Sequence, residues 1–209
     1  MLEVVRAPYS IFMNDTPTDL PSLQLPLKTR RLTIREYTDD DWSIVYAYVK
    51  DEAFWKYQAG ETPTEEKVKA LIQWAVREQK IAPRINYYLA VTETKSGNVI
   101  GEAVIKVAPP GHGQGEIGFG IVPSLWRKGY ATEVARALID VGFTTLKLNR
   151  IAAQCAPENK ASIRVMQKLG MAREGLLREH YRAGGKYWSS VIYALLAREH
   201  EKIKTNTSR

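Results

Sequence analysis

The most informative stretch of the chain runs Ile121-Val122-Pro123-Ser124-Leu125-Trp126-Arg127-Lys128-Gly129-Tyr130-Ala131-Thr132. It lies between a predicted strand and a predicted helix. Free amide groups at a helix start, with the positive end of the helix dipole behind them, bind phosphates. Gly129 and Ala131 have little or no side chain, so a pyrophosphate can approach the backbone there, and Arg127 and Lys128 add positive charge. These residues alone leave two interpretations equally open: a phosphate-binding turn, or an ordinary basic turn that caps a core helix.

The same turn argues against two common nucleotide sites. It matches neither G-x-x-x-x-G-K-[ST] nor G-x-G-x-x-G, which argues against nucleotide hydrolysis and against dinucleotide binding. The net charge of 30 − 23 = +7, with a pI near 9.4, favours anionic partners without choosing among them. A solvated basic face is the favoured interpretation of this charge. Because aromatic and basic side chains do not interleave on one strand face, we expect no specific nucleic-acid partner.

The composition of the 209-residue chain, 44% apolar and 25% charged, is that of a globular protein. The single cysteine, Cys155, excludes a disulfide framework, and it is expected to be a buried small hydrophobe rather than a nucleophile. The three histidines are scattered, so no metal is expected. No apolar run reaches the roughly 20 residues that span a bilayer, and the first residues lack the apolar core of a secretion signal. We therefore expect a cytoplasmic protein with no membrane partner.

Hydrophobic periodicity predicts an α/β sheet of mixed direction flanked by helices. Strands are expected at 31–35, 87–92, 99–107, 116–122, 151–155, 174–177 and 187–197. Helices are expected after a capping box at Thr38 and Asp41, from a cap at Thr62 with Pro63 in the first helical position, and over 132–146 and 159–169.

Proline usage indicates the domain organisation. Residues 1–27 hold four of the ten prolines and show little periodicity, so we expect an irregular N-terminal extension there. One folded domain is expected over 28–198, followed by a charged C-terminal tail over 199–209.

A second stretch, directly after a predicted strand, reads Ala156-Pro157-Glu158-Asn159-Lys160-Ala161-Ser162-Ile163-Arg164-Val165-Met166-Gln167-Lys168-Leu169-Gly170-Met171. Together with Trp126 to Glu133, it resembles the GNAT superfamily of acyl-CoA N-acyltransferases, and within it the branch of ribosomal-protein alanine N-acetyltransferases. The resemblance covers about residues 27 to 197. It implies the GNAT fold, a mixed twisted sheet with splayed central parallel strands and flanking helices, and it implies acetyl-CoA as co-substrate.

The resemblance also implies which residues bind acetyl-CoA. The amides that would hold its pyrophosphate belong to Arg127, Lys128, Gly129, Tyr130, Ala131 and Thr132. Ile121 and Val122 would pair their backbone with the pantetheine arm where the two parallel strands splay. Asn159 would contact the same arm, and Ser162 would lie near the thioester sulfur.

Acetyl transfer to an amine asks for few catalytic groups. A thiol titrates near about 8.5, so the leaving group needs only modest proton donation. Many superfamily members place a tyrosine acid where this chain has Met166, so Ser162, or a water that it holds, is the better proton donor. A backbone amide near Val122 can stabilise the oxyanion. Glu116 is the first choice for the general base, with a solvated edge carboxylate as the equally open alternative.

The sequence is least informative about the acceptor. Ser189 stands where that branch usually has an aspartate, which puts acceptor recognition in doubt. Trp55, Tyr187 and Trp188 either line an acceptor pocket or belong to the core, and the core is the commoner place for such side chains. Aromatic side chains in the 38–60 segment are able to flank an extended peptide.

Two function classes follow. The first is an enzyme that acetylates a primary amine, with a protein or peptide N-terminus placed ahead of a small molecule such as a polyamine. The second is a non-catalytic acyl-CoA-binding module, supported by the departures at Met166 and Ser189. A homodimer is left open by the sequence.

Overall fold

The computed structural model describes residues 21–58, 60–109 and 111–207, and it contains one eight-stranded sheet. The strands are β1 (Leu27–Lys28), β2 (Leu32–Glu36), β3 (Asn86–Glu93), β4 (Val99–Val107), β5 (Gln114–Ile121), β6 (Arg150–Cys155), β7 (Ala172–Ala183) and β8 (Lys186–Leu196). Their order in the sheet is β1-β2-β3-β4-β5-β6-β8-β7. Every neighbouring pair is antiparallel except β5 and β6, which are parallel. The predicted mixed sheet is therefore confirmed.

Six helices flank the sheet within these described residues. They are α1 (Trp42–Val49), α2 (Glu52–Trp55), α3 (Glu65–Glu78), α4 (Tyr130–Thr144), α5 (Lys160–Lys168) and α6 (Ala197–Thr207). Short 3-10 turns precede two of them, at Asp39–Asp41 before α1 and at Pro123–Leu125 before α4.

Strand alternation separates the buried side chains into two clusters, one on each face of the sheet. Ala103 and Ile105 of β4 lie opposite Phe119 and Ile117 of β5, and this face packs against α4. The next residues along the same strands point to the other face, where α1, α2 and α3 build the second cluster. Glu102 belongs to this second face. Carboxylates on β4 and β5 are therefore aimed at α1–α3 and not at α4.

Helix α4 lies very close to the sheet. Its buried stripe includes Val134, Ala135 and Leu138. At Gly142 a Cβ atom would lie 2.5 Å from the Cδ1 atom of Ile151, so any larger residue would force that buried side chain to move. The close packing fixes where the N-terminus of α4, and hence the loop before it, lies relative to β5 and β6.

The predicted capping box before α1 is confirmed. The Thr38 amide donates to the Asp41 carboxylate at 2.8 Å, and Arg35 donates to both oxygens of that carboxylate at 2.7 and 2.9 Å. The predicted start of the next helix is wrong by two residues. The side chain of Thr64, and not that of Thr62, accepts from an amide of the first turn, so Pro63 lies before the helix.

Two predicted C-terminal elements differ from the structure. The strand expected at 174–177 extends over Ala172–Ala183, because it pairs with the long β8 although most of its side chains are exposed. Residues of the expected charged tail form α6, which buries His200 against the domain. Most of the expected N-terminal extension lies outside the described residues, and at its end Leu23 is buried and Leu27 begins β1.

Candidate active site

The two parallel central strands separate after three residue pairs. Gln114, Gly115 and Glu116 of β5 pair with Arg150, Ile151 and Ala152 of β6, and the pairing then stops. Beyond this point β5 pairs with β4 alone and β6 with β8 alone. The opening between Ile117–Ile121 and Ala153–Cys155 is called the splay below. It confirms the splayed parallel strands expected of the fold.

The backbone groups of β5 alternate between the splay and β4. Val122 donates its amide to the Ile100 carbonyl at 2.9 Å, and its carbonyl accepts from Leu125 at 3.0 Å. Both polar backbone groups of Val122 are therefore engaged within the protein, so the expectation that Val122 pairs its backbone with the pantetheine arm is wrong. The expectation that a backbone amide near Val122 stabilises the oxyanion stays a prediction. By alternation the amides of Phe119 and Ile121 point into the splay. The Ile121 carbonyl already accepts from the Trp126 indole at 2.6 Å.

The loop before α4 has the conformation of an anion site. Arg127 and Gly129 have positive φ angles of 62° and 82°, so the amides of consecutive residues turn toward one side. Gly129 is the residue before the first turn of α4, and no side chain caps that turn. The amides there face outward with the helix dipole behind them, and exposed Arg127 and Lys128 add positive charge. This arrangement fits a pyrophosphate.

A side-chain network from the turn between β1 and β2 supports this loop. Glu133 in the first turn of α4 accepts from Thr29, from the Arg31 amide and from the Arg31 guanidinium at 2.6 to 2.9 Å. Although burial raises the pKa of Glu133, the hydrogen bonds from Thr29 and Arg31 lower it overall. Arg31 also donates to the Lys128 carbonyl at 3.0 Å and lies 4.2 Å from the centre of the Tyr130 ring. Sequence analysis missed this network, because its members are distant in the chain.

The residues predicted near the thioester lie at the start of α5, directly after β6. The Asn159 side chain caps the helix by accepting from the Ser162 amide at 3.1 Å, which leaves its amide group for a ligand. Ser162 is half-buried. Met166, where other members have tyrosine, is buried in the core. Burial raises the pKa of the Cys155 thiol to about 11, which agrees with the expectation that it is not a nucleophile.

Glu116 lies at the closed end of the splay. It is the last residue of β5 that pairs with β6, and its carboxylate accepts from the Gln154 side chain at 3.0 Å. The residue is half-buried. Both predicted catalytic residues therefore border the splay, Glu116 at its closed end and Ser162 on the helix that follows β6, and their catalytic roles remain predictions.

A second carboxylate near the splay was not found from the sequence. Glu102 of β4 lies opposite Gly120 of β5 on the α1–α3 face. A Cβ atom at Gly120 would lie 3.1 Å from the Glu102 carboxylate and 3.0 Å from the Phe54 ring, so both side chains lie over Gly120. Burial raises the pKa of Glu102 to about 7. Ion pairs of the described residues do not include Glu102.

Two buried tyrosines face the same carboxylate. Burial, followed by the Glu102 charge, raises the pKa of Tyr37, and burial likewise raises the pKa of Tyr48. The hydroxyl of Tyr48 is buried and has no hydrogen-bond partner within 3.5 Å in the described part of the chain, although the Tyr37 hydroxyl is close enough to affect its pKa. Tyr37, Tyr48, Phe54, Glu102 and Gly120 are called the Glu102 cluster below.

The far end of the splay is bordered by a contact between two loops. The turn between β7 and β8 projects past the end of β6, and a Cβ atom at Gly184 in this turn would lie 3.4 Å from Gly60. Trp55 donates its indole N–H to the Gly60 carbonyl at 3.2 Å, and Trp188 donates to the Ala183 carbonyl at 3.1 Å. These two residues of the predicted acceptor pocket therefore hold the loops that meet. Tyr187, the third, is 64% exposed.

Comparison with known proteins decides the family. Residues 31–172 match the family model described as an acetyltransferase (GNAT) domain. The chain belongs to the GNAT acetyltransferase family. The uncharacterized N-acetyltransferase YnaD of Bacillus subtilis is 35% identical over 173 residues, which are 83% of this chain and 98% of YnaD.

Two solved structures agree with this assignment. A GNAT-family acetyltransferase from Bacillus anthracis is 34% identical, with a TM-score of 0.72 over 84% of this chain and 100% of its own. A ribosomal-protein-S5-alanine acetyltransferase from Vibrio fischeri is 18% identical, with a TM-score of 0.72 over 83% of this chain and 97% of its own. The latter shows a shared fold alone.

Family membership makes this GNAT protein an N-acetyltransferase and implies acetyl-CoA as its acetyl donor. None of the helices in the described residues is long and apolar enough to cross a membrane. Within the same residues, no group of three or more His, Cys, Asp and Glu side chains is arranged to hold a metal ion.

Proposed function

We propose that this enzyme transfers the acetyl group of acetyl-CoA to the N-terminal amine of a peptide or protein. The support for this acceptor is the contact between Gly60 and the β7–β8 turn. This contact lies beyond the end of β6, so we infer that the acceptor enters through a confined opening at the end of the splay. A free chain terminus fits such an entrance, whereas a side-chain amine in the middle of a folded surface does not.

On the donor side, the proposal places the acetyl-CoA pyrophosphate on the outward amides between Arg127 and Thr132. The pantetheine arm then follows β5, where Ile121 offers its amide, and passes the Asn159 side-chain amide. This path is directed toward the start of α5, where the Ser162 hydroxyl is the candidate donor of a proton to the leaving thiolate. With the Val122 amide engaged, the Ile121 amide is the candidate group to stabilise the oxyanion.

A small amine is the second candidate acceptor. The spermidine N(1)-acetyltransferase of Escherichia coli is 29% identical over 89 residues, which are 43% of this chain and 48% of that enzyme. The net charge of +7 opposes a polyamine acceptor, because polycations are attracted to acidic clefts. The fold relationship to a ribosomal-protein acetyltransferase agrees with a protein acceptor without identifying one.

A competition assay tests the acceptor. Thiol release from acetyl-CoA is measured with short peptides that carry Ala or Ser at a free N-terminus, and with free amino acids, polyamines and aminoglycosides. We expect the best peptide to have the highest kcat/KM. The same peptide with a blocked N-terminus and an internal lysine is the control, and it should not react. A small amine with a kcat/KM about 100-fold above the best peptide, about 2.7 kcal/mol of transition-state preference, would overturn the peptide acceptor. Binding of acetyl-CoA without turnover on any amine would favour the non-catalytic module.

A further inference from the structure

We propose that Glu102 is the catalytic base that removes the proton of the acceptor ammonium, in place of Glu116. The proposal rests on amine acetylation as the reaction, but it does not depend on which amine is the acceptor. Its basis is the position of Glu102 beside the splay, the side chains that surround it and its lack of a cationic partner.

The position of Glu102 places its carboxylate beside the reacting end of the splay. Glu102 lies opposite Gly120, and Gly101 lies opposite Ile121, whose amide points into the splay. Because the carboxylate lies over Gly120, only one strand width, about 4.8 Å, separates it from the space that β6 has vacated. The missing side chain at Gly120 is what allows this approach, since a Cβ atom there would press on both Glu102 and Phe54.

Glu116 is less well placed for the same role. It lies on β5 four residues before Gly120, which corresponds to about 14 Å along the strand, so one bound amine cannot contact both carboxylates. Glu116 is also at the closed end of the splay and already accepts from Gln154. Glu102 lies toward the open end, where Phe119 and Ile121 present their amides.

The surroundings of Glu102 fit an ammonium ion. The titratable groups that face it are the hydroxyls of Tyr37 and Tyr48, with Phe54, Ala90 and Gly120 as the other neighbours. Arg35 lies beyond Tyr37 and is paired with Asp41. The described residues therefore supply no cation to the carboxylate of half-buried Glu102, and the buried Tyr48 hydroxyl has no hydrogen-bond partner within 3.5 Å among them. A ligand that supplies donors can satisfy both groups, and an ammonium supplies three.

The proton balance of the reaction is simple. Glu102 accepts one proton from the acceptor ammonium, and the nitrogen lone pair forms a bond to the thioester carbonyl carbon. The carbon–sulfur bond then breaks, the second nitrogen proton passes to the departing thiolate through the Ser162 hydroxyl or a water, and Glu102 returns its proton to solvent. Burial places the Glu102 pKa at about 7, close to the roughly 7.7–8.0 of an α-amino group, so this proton transfer is nearly balanced.

Kinetics over a pH range test the assignment with the fastest amine of the panel. Glu102→Gln, Glu116→Gln and wild type are compared, and Glu201→Gln on the exposed surface of α6 is the matched control. We expect Glu102→Gln to lower kcat about 100-fold at pH 7, at the low end for a general base because an α-amine is already partly neutral. In wild type, kcat should be level above about pH 7 and fall below it. In this variant the break should move up to the pKa of the amine, about 8, with the rate rising about tenfold per pH unit below it. The acetyl-CoA-induced shift in Tm should stay unchanged.

Several outcomes overturn the assignment. A Glu102→Gln variant with wild-type kcat does so, as does a change in KM alone, because a base acts on kcat. Loss of kcat in Glu116→Gln with none in Glu102→Gln returns the role to Glu116. If Glu102→Gln does not fold, Glu102→Asp serves instead, and it should have a lowered kcat while keeping the fall below about pH 7. A small amine that outperforms every peptide overturns the acceptor proposal alone, whereas no turnover with any amine overturns both.

Discussion

The loop before α4 and the Glu102 cluster are the two polar regions of the splay, and they are built in opposite ways. The loop takes its amides from consecutive residues and is supported by a satisfied network around Arg31 and Glu133. The cluster draws its residues from four elements and a loop, and it holds a carboxylate without a cation and a hydroxyl without a hydrogen-bond partner within 3.5 Å. Satisfied groups stabilise a fixed shape, whereas unsatisfied buried groups cost free energy that a ligand can recover. This difference is why we propose the first region for the acetyl donor and the second for the acceptor amine.

The largest expected effect concerns the donor region. Gly129→Val should abolish the acetyl-CoA-induced shift in Tm, because φ at this residue is 82° and a side chain there blocks the approach of the pyrophosphate. Scanning calorimetry or dye-based melting with and without acetyl-CoA measures the shift. Gly97→Val is the matched control, since Gly97 has a φ of 75° and open space around it in the turn between β3 and β4. A folded Gly129→Val variant with a wild-type shift in Tm would show that the pyrophosphate does not bind at this loop.

The second prediction concerns Ser162, at the border between the two regions. If its hydroxyl donates a proton to the thiolate, Ser162→Ala should lower kcat about 10- to 100-fold with little change in KM for acetyl-CoA, since the interaction strengthens only in the transition state. Ser43→Ala, at an exposed position of α1, is the control. A rise in KM alone would make Ser162 a binding residue.

The difference between the two regions also explains what the sequence could reveal. The loop was recognisable because its residues are consecutive, and the splay followed from the family resemblance. The error at Val122 arose because strand alternation has a period of two, and only the register with β4 shows which amides face the splay.

The Glu102 cluster was out of reach for a related reason. Alternation along β4 places Glu102 on one face, but it does not show that Phe54 and Tyr48 cover that face. The start of α3 directly after its cap Thr64, and the length of β7, likewise depend on tertiary contacts that no local pattern encodes. Side chains that are distant in the chain become neighbours only in the fold.

The third prediction uses the stability of the Glu102 cluster. The pKa of Glu102 is raised from its ordinary value of 4.5 to about 7 in the folded state, so between these values the unfolded state releases a proton that the folded state keeps. The free energy of unfolding should therefore fall as pH rises through this window and level off above about pH 7, by on the order of 2 kcal/mol for a partly buried group. Glu102→Gln should remove this fall.

Chemical denaturation at a series of pH values, compared with Glu201→Gln, measures the effect. Glu102→Gln should be more stable than wild type at pH 8 and similar to it near pH 4.5, while its activity falls. This opposite movement of stability and activity is typical of a group kept for function. Equal pH profiles of stability in wild type and Glu102→Gln would contradict the burial of an ionisable carboxyl at this position.

The smallest expected effect distinguishes a buried hydroxyl that lacks a hydrogen-bond partner from one that has a partner. Tyr48→Phe removes a buried hydroxyl without a partner, so the free energy of unfolding should stay the same or rise by up to about 1 kcal/mol. Tyr87→Phe is the matched control, because the Tyr87 hydroxyl accepts from the Leu23 amide at 3.4 Å. Its removal leaves that amide unpaired and should lower the free energy of unfolding by about 1 kcal/mol. Urea denaturation of both variants checks this pair.

Steady-state kinetics of the same two variants show whether the Tyr48 hydroxyl contacts the acceptor amine. If the Tyr48 hydroxyl accepts a hydrogen bond from the acceptor ammonium, Tyr48→Phe should raise KM for the amine several-fold. KM for acetyl-CoA should stay unchanged, because the donor region is built from other residues. Tyr87→Phe should change neither, because Tyr87 lies on the opposite face of β3 from the Glu102 cluster. If Tyr48→Phe stabilises the fold and leaves KM for the amine at the wild-type value, the unpartnered hydroxyl is an uncompensated cost of packing. The acceptor ammonium would then be held by Glu102 without help from the tyrosine.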